Sequence, residues 1–540
     1  MARDSATSAR RPGRPTTTGR LVIVFGDQLD LDAPLLRSLE PRDTLLMMEV
    51  AGESRHVPSH AARTALFLSA MRHFAAEAGH RGIRVRYVAL DDPENTGTLE
   101  GEIARAIDVL RPSEIACTHP GEWRVLSMLQ RVCDGAAIPL RVLPDEHFLT
   151  TPEEFASWAA GRASLTMEFF YRVQRRKTGY LMEGSGAGAT PAGGVWNFDS
   201  ENRLPFGPRG PSPRPPPPRR FTPDETTRAV FKCIARVLPD LPGSVESFAW
   251  PVTRAQALEA LDDFITHRLA LFGPFEDAMW ASEPTLYHST LSCSLNLKLL
   301  HPRECCDRAV AAYHAGLAPL QSVEAFVRQI IGWREFIRGV YWLEGPAYAQ
   351  RNALDQHQRL PAFYWTGDTD MACMKACIGQ VLDTGYGHHI QRLMVTGNFA
   401  LISGVHPRAV SDWYLGMFVD GVDWVTLPNA LGMVMHADRR ADAGPGVTGL
   451  VGTKPYAAGG RYIDRMSNYC ASCPYDPEAR SGPSACPFTL FYWDFLIRTR
   501  ERLAKNQRMA MMLKNVDRMT PQVRTQITID ADLLRRRLWK

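Results

Sequence analysis

Short apolar runs alternate with longer amphipathic stretches over the first quarter of the chain. LVIVF (21–25), TLLMMEV (44–50), IRVRYVAL (83–90), EIACTH (114–119) and IPLRVL (138–143) predict β-strands, and residues 60–79, 99–111 and 122–133 between them predict helices. Strands apolar along most of their length and separated by helices predict a parallel sheet covered on both faces. Ligands in such folds bind beyond the carboxyl ends of the strands. FGDQ (25–28) and MEVAGES (48–54) occupy two of those ends and are the first places to look for chemistry.

The pattern then breaks. GSGAGATPAGG (184–194) and RGPSPRPPPPRR (209–220) are too rich in glycine and proline for regular elements. They predict a surface linker whose arginines are solvated. From about Thr253 onward helical periodicity takes over, at 254–271, 303–316, 321–341, 370–384, 388–403, 408–418 and 488–505. The expected organisation is a disordered tail (1–20), a Rossmann-like α/β domain with a parallel sheet (21–150), an interdomain linker (151–250), a large all-α domain (251–525) and a C-terminal tail (526–540).

Composition adds limits rather than identity. The chain has 540 residues, 45% of them hydrophobic, and a formal net charge of +4. That mild charge permits polyanion binding without demanding it. No run of about 18 or more apolar residues occurs, so no membrane span is expected. The opening MARDSATSARRPGRPTTTGR lacks the apolar core of a secretory signal. A cytoplasmic chain with reduced cysteines is therefore expected.

Eleven cysteines are too few for a disulfide scaffold, but three of them crowd together. Cys470-x2-Cys473-x12-Cys486 has the spacing of thiolates that bind zinc or an iron–sulfur cluster, against the plain alternative of three unrelated buried thiols. Either cofactor needs a fourth ligand, and the candidates are Cys373 and Cys377 upstream; spacing does not choose between metals. A second concentration is His388 and His389 on a predicted helix, one turn from Arg392. This is not the HExxH pattern of a zinc protease. Paired histidines suit proton transfer near neutral pH, although a lone histidine is more often structural.

FGDQL (25–29), HSTLS (288–292), IIGWREFIRG (330–339), FYWTG (363–367) and HHIQRLMVTGNFAL (388–401), in order with the cysteine trio, resemble the photolyase/cryptochrome family. The resemblance covers roughly residues 20–525 and is closest to the iron–sulfur bacterial branch, which contains the prokaryotic (6-4) photolyases. It implies that the α/β domain carries an antenna chromophore, 6,7-dimethyl-8-ribityllumazine, against Gly26, Asp27 and Glu53. It implies FAD in the helical domain, with Ser289 and Ser292 at its phosphates and the Arg392–Asp420 pair beside the isoalloxazine. Trp365, Trp413 and Tyr414 match residues that pass electrons to the flavin. Cys373, sixteen residues before His389, matches the fourth ligand of a structural 4Fe–4S cluster with Cys470, Cys473 and Cys486. The family's flavin-N5 position is left open here, with Thr426 six residues after Asp420 and Asn429 three further on.

The implied activity is light-driven repair of UV-damaged DNA by a monomeric lyase. His389, supported by His388, resembles the proton donor that a (6-4) photoproduct requires and a cyclobutane dimer does not. The alternatives are cyclobutane-dimer repair and a blue-light receptor of the cryptochrome type; a plain zinc or iron–sulfur DNA-binding protein would leave HSTLS and WREF unexplained.

Overall fold

The computed structural model describes residues 19–444 and 446–539. The expected N-terminal tail lies almost wholly outside the described residues. Five parallel strands form the first domain: β1 (Leu21–Ile23), β2 (Thr44–Met48), β3 (Val85–Val88), β4 (Ile115–Thr118) and β5 (Leu140–Leu143). Their order is β3-β2-β1-β4-β5. Leu21 pairs in register with Thr44 on one side and with Ile115 on the other. The order reverses beside β1, and that is where such sheets open a crevice.

Period-two alternation explains why the strands are apolar throughout. Leu21, Ile23, Leu46 and Met48 face one way, into a core with helices Leu99–Leu110 and Trp123–Ala136. Val22, Val24, Leu45 and Met47 face the other way, onto helix Ala61–His80 and a core continuous with the helical domain. The covered parallel sheet is thus as expected, with strands two to four residues shorter than the apolar runs that announced them.

The segment 151–250 is more than a linker. It contains helices Pro152–Ala159, Met167–Thr178 and Glu225–Val237. Glu225–Val237 packs on Ala61–His80, and Pro152–Ala159 packs on Glu335–Glu344. Only the Gly/Pro-rich stretches lack long elements, holding a two-residue hairpin (Met182–Glu183 with Thr190–Pro191) and short turns. The C-terminal tail expected at 526–540 is also corrected. It forms most of helix Pro521–Leu538, which buries Ile527, Ala531 and Leu534 against helix Pro487–Arg498. Its charged residues hid a three-to-four-residue apolar spacing.

The helical half follows the predicted order, with π-helical turns at Arg328–Arg334, Gln391–Gly397 and Asn429–Val434. Such turns widen a helix locally and recur at functional sites. No helix of the described residues is long and apolar enough to cross a membrane.

Candidate functional site: two pockets and a cysteine cage

A cavity of about 890 Å³ opens beyond the carboxyl ends of β1, β2 and β4. Gly26, Asp27 and Glu53 all line it, at the strand ends where a ligand is expected. A Cβ at Gly26 would sit 3.0 Å from Met71 Sδ and 3.2 Å from Phe67. Burial pushes the Asp27 carboxyl up to about 6, against a partial opposing pull from Lys298. Glu53 is already engaged, taking two N–H donors from Arg124 at 2.8 and 2.7 Å. Val24, Met48, Phe67 and Met71 supply apolar walls. The cavity therefore suits a flat, mostly apolar ligand with a polar edge. Sequence reasoning missed Glu122, although it follows β4 and the strand-end rule could have found it. It also missed Val422, which reaches in from the helical domain.

That reach ties the cavity to a second site. Arg63, on the cavity wall, donates from Nε and Nη2 to the Gly421 carbonyl at 3.1 and 2.9 Å. The next residue back is Asp420, the hub of the helical domain. Its carboxylate accepts from Arg392 Nη1 and Nη2 at 3.0 Å each and from Ser292 Oγ at 2.6 Å, and its carbonyl accepts from Asn296 at 2.8 Å. Arg392 also donates to the Gly387 carbonyl at 2.7 Å and lies 4.0 Å over the Phe418 ring. The π-helical turn that carries Arg392 starts one residue earlier. Ser289 lies half-buried beside this hub in the HSTLS segment. There Thr290 holds φ +57°, strained for a β-branched residue. Thr426 and Asn429 turn donors back onto their own helix, to the Val422 carbonyl at 3.1 Å and the Val425 carbonyl at 2.9 Å.

The aromatic residues fall into a graded row. Trp413 is fully buried, with Tyr414 at 5.4 Å and Phe418 at 5.5 Å between ring centres. Tyr414 OH donates to the Arg392 carbonyl at 2.7 Å. Trp365 is half-buried and has no close ring contact to Trp413. Its neighbour Tyr364, missed in the sequence, sets its ring 5.2 Å from that of Trp413, and its carbonyl accepts from the Trp413 indole N–H at 3.1 Å.

Helical geometry begins at His389, so His388 precedes the helix rather than riding on it. The His388 N–H donates to Gln391 Oε1 at 3.0 Å. His388 is buried, whereas the His389 side chain is 52% exposed, with Nε2 3.4 Å from Asp277 Oδ1. Burial, with neighbouring positive groups, holds His388 well below the ordinary imidazole range.

The four expected cysteines line one small cavity with Met371, Gly460, Ile463 and Phe488. Cys373 stands in the first turn of helix Ala372–Thr384, Cys470 lies within the turn Tyr469–Ser472 and Cys473 follows it, and Cys486 precedes helix Pro487–Arg498. Cys377 points elsewhere, its thiol 3.8 Å from Tyr469 OH. A Cβ at Gly460 would come within 2.8 Å of Cys486 Sγ, so glycine keeps the cage open. Burial pushes the thiols of Cys470 and Cys486 up to about 12 and about 11. Uncompensated, they would be protonated, and metal binding would release those protons.

A two-domain fold with a strand-end cavity adjoining a buried arginine–carboxylate hub is the architecture of the photolyases and cryptochromes. A bacterial class III photolyase from Agrobacterium tumefaciens superposes with a TM-score of 0.54 over 98% of each chain, at 14% identity. A cryptochrome from Synechocystis superposes with a TM-score of 0.53 over 80% of this chain and 84% of its own, also at 14% identity. Residues 22–250 match the family described as deoxyribodipyrimidine photo-lyase-related protein. A (6-4) photolyase from Agrobacterium fabrum is 46% identical over 520 residues, which is 96% of this chain and 99% of that protein. The chain belongs to the photolyase/cryptochrome family.

Proposed function

We propose that this chain is a light-driven enzyme that reverses (6-4) pyrimidine–pyrimidone photoproducts in DNA, acting as a single chain in the cytoplasm. The observation that carries the choice of lesion is the setting of His389, exposed on one side and facing Asp277 on the other. Reversal of the (6-4) lesion needs a proton at the hydroxyl that moves between the two bases; cyclobutane splitting does not. His389 holds that proton, and buried His388 stays neutral behind it. Tyr462 lies within electrostatic reach of Asp277 and Arg203, and Arg465 sits 5.6 Å over its ring. An aromatic face beside guanidinium groups suits an unstacked base with its phosphates. Extruding a damaged base costs a few kcal/mol, less than for an intact one.

Arg392, Asp420, Ser289, Ser292 and Asn429 would hold FAD, which when bound supplies the light-excited electron for the lesion. Trp365, Trp413 and Tyr414 would form the route by which electrons enter, with Tyr364 against Trp413. The strand-end cavity, with Gly26, Asp27 and Glu53, would take 6,7-dimethyl-8-ribityllumazine. Cys373, Cys470, Cys473 and Cys486 would ligate a 4Fe–4S cluster. Four cysteine thiols around one cavity suit such a cluster.

The test is illumination of oligonucleotides carrying one lesion or the other, with wild type and His389→Ala. Repair of the (6-4) lesion, lowered roughly 10²- to 10⁴-fold by the substitution, supports the proposal. Repair of cyclobutane dimers alone, or full (6-4) repair by His389→Ala, overturns it. Repair of neither lesion by a flavin-loaded protein identifies a light receptor.

A further inference from the structure

A third histidine joins the pair from about one hundred residues earlier in the chain. His288 is buried, and its ring stacks on His388 with centroids 4.4 Å apart and planes 14° from parallel. The same ring stands 5.3 Å from His389 at 73°. One ring nitrogen from each of the three lies within 4.8 Å of the others. His288 Nε2 and both nitrogens of His388 are buried with no protein partner among the described residues.

We infer that His288 is a positioning residue of the proton-delivery group, a neutral buried imidazole that holds His388 in its stack and keeps the single transferable proton on His389. This rests on the proposed repair of (6-4) lesions. Three imidazoles this close disfavour a second positive charge, because like charges a few ångströms apart in a poorly solvated pocket repel strongly. Desolvation lowers both buried rings well below the ordinary range, which disfavours a charge on either.

The surrounding groups reinforce that placement. Asp277 Oδ1 faces His389 Nε2 at 3.4 Å. Glu276, raised by burial to about 7, lies within electrostatic reach of His389 and 3.6 Å from Arg328. Arg392 acts on His388 and disfavours a charge there. Phe272 stands edge-on to His288, with ring centroids 5.8 Å apart. A neutral imidazole at position 288 thus offers an acceptor and a polarisable face to a cation at 389, and no competing charge.

The test pairs His288→Phe, which keeps the stack and removes both ring nitrogens, with His288→Gln, which restores a polar group. Single-turnover (6-4) repair is measured between pH 5.5 and 9, and the imidazole Cε1–H resonance of His389 is followed by NMR over the same range in DNA-free holoprotein. In His288→Phe the alkaline limb of repair should move to lower pH by about one unit, which is about a tenfold loss of rate on that limb. The NMR midpoint should move with it, and His288→Gln should restore part of both. A pH profile that superimposes on wild type, or a loss equal at every pH, overturns the assignment. If wild type repairs no (6-4) lesion, the functional proposal fails, and the NMR midpoints of the DNA-free protein still decide whether His288 governs His389. If His288→Phe does not fold, the Gln variant decides: its NMR midpoint and alkaline limb should shift in the same direction by a smaller amount, and an unshifted Gln variant overturns the assignment.

Discussion

Replacing Asp420 tests whether the hub of the helical domain is as central as its bonds imply. In Asp420→Ala, Arg392 loses two charge-assisted bonds and Ser292 loses its 2.6 Å acceptor. The guanidinium keeps only the Gly387 carbonyl and the Phe418 face. Removing one partner of a buried ion pair costs about 3–5 kcal/mol, because the other charge stays buried without its counterion. The Arg392 side chain is 21% exposed, so water recovers part of this, and about 3 kcal/mol is expected. Asp420→Asn retains one acceptor oxygen and should cost about half as much. In urea, with a slope of about 3 kcal/mol per molar or more for a chain of this size, the Ala variant should unfold up to about 1 M earlier. The assay is urea unfolding followed by circular dichroism, with the bound flavin measured by absorbance on the same samples. A midpoint within about 0.2 M of wild type, with full flavin content, would refute the reasoning.

Two further outcomes follow from the same geometry. Asp27 has a carboxyl raised to about 6 by burial, so its charged form is disfavoured in the fold; the cost is absent below about pH 4, grows up to about pH 6 and is constant above. The whole shift corresponds to about 3 kcal/mol, and water in the open cavity about halves it; Asp27→Asn should stabilise the protein by about 1.5 kcal/mol at pH 7.5 and not at pH 4. Thermal unfolding across that range checks it, and a gain independent of pH would contradict it. Truncation after Met519 should cost about 4 kcal/mol, from the loss of buried Ile527 and Leu534 and of the Arg535 partner of Asp494. It should also loosen iron retention, because the helix it uncovers begins at Cys486; melting and iron analysis of the truncated protein read both, and unchanged iron content would sink the second part.

What the sequence determined by itself is whatever depends on local periodicity. Runs such as LVIVF and TLLMMEV predicted strands buried on both faces, hence a parallel sheet with a crevice beyond the strand ends at FGDQ (25–28) and MEVAGES (48–54), where the cavity lies. Helical spacing placed every long helix of the second domain to within a few residues. It failed where glycine and proline or a dense charge pattern masked it, at 152–178, 225–237 and 521–538, and it also passed over 423–434 and Ala510–Asp517. The spacing of Cys470, Cys473 and Cys486 predicted that the three thiols meet, as they do around one cavity, since a short loop keeps its ends close.

What only the tertiary structure decided is which distant side chains meet. Cys373 and Cys377 lie one turn apart on the same helix, and the packing of that helix against Tyr469–Ser472 turns one into the cage and the other away. Asp420 draws its partners from positions 292 and 392, and His288 reaches its stack across a hundred residues. No periodicity records such encounters, because each depends on how whole elements pack around a common core. The candidate chemistry was legible as residue types in the chain; the arrangement of the three imidazoles exists only once the helical domain has closed.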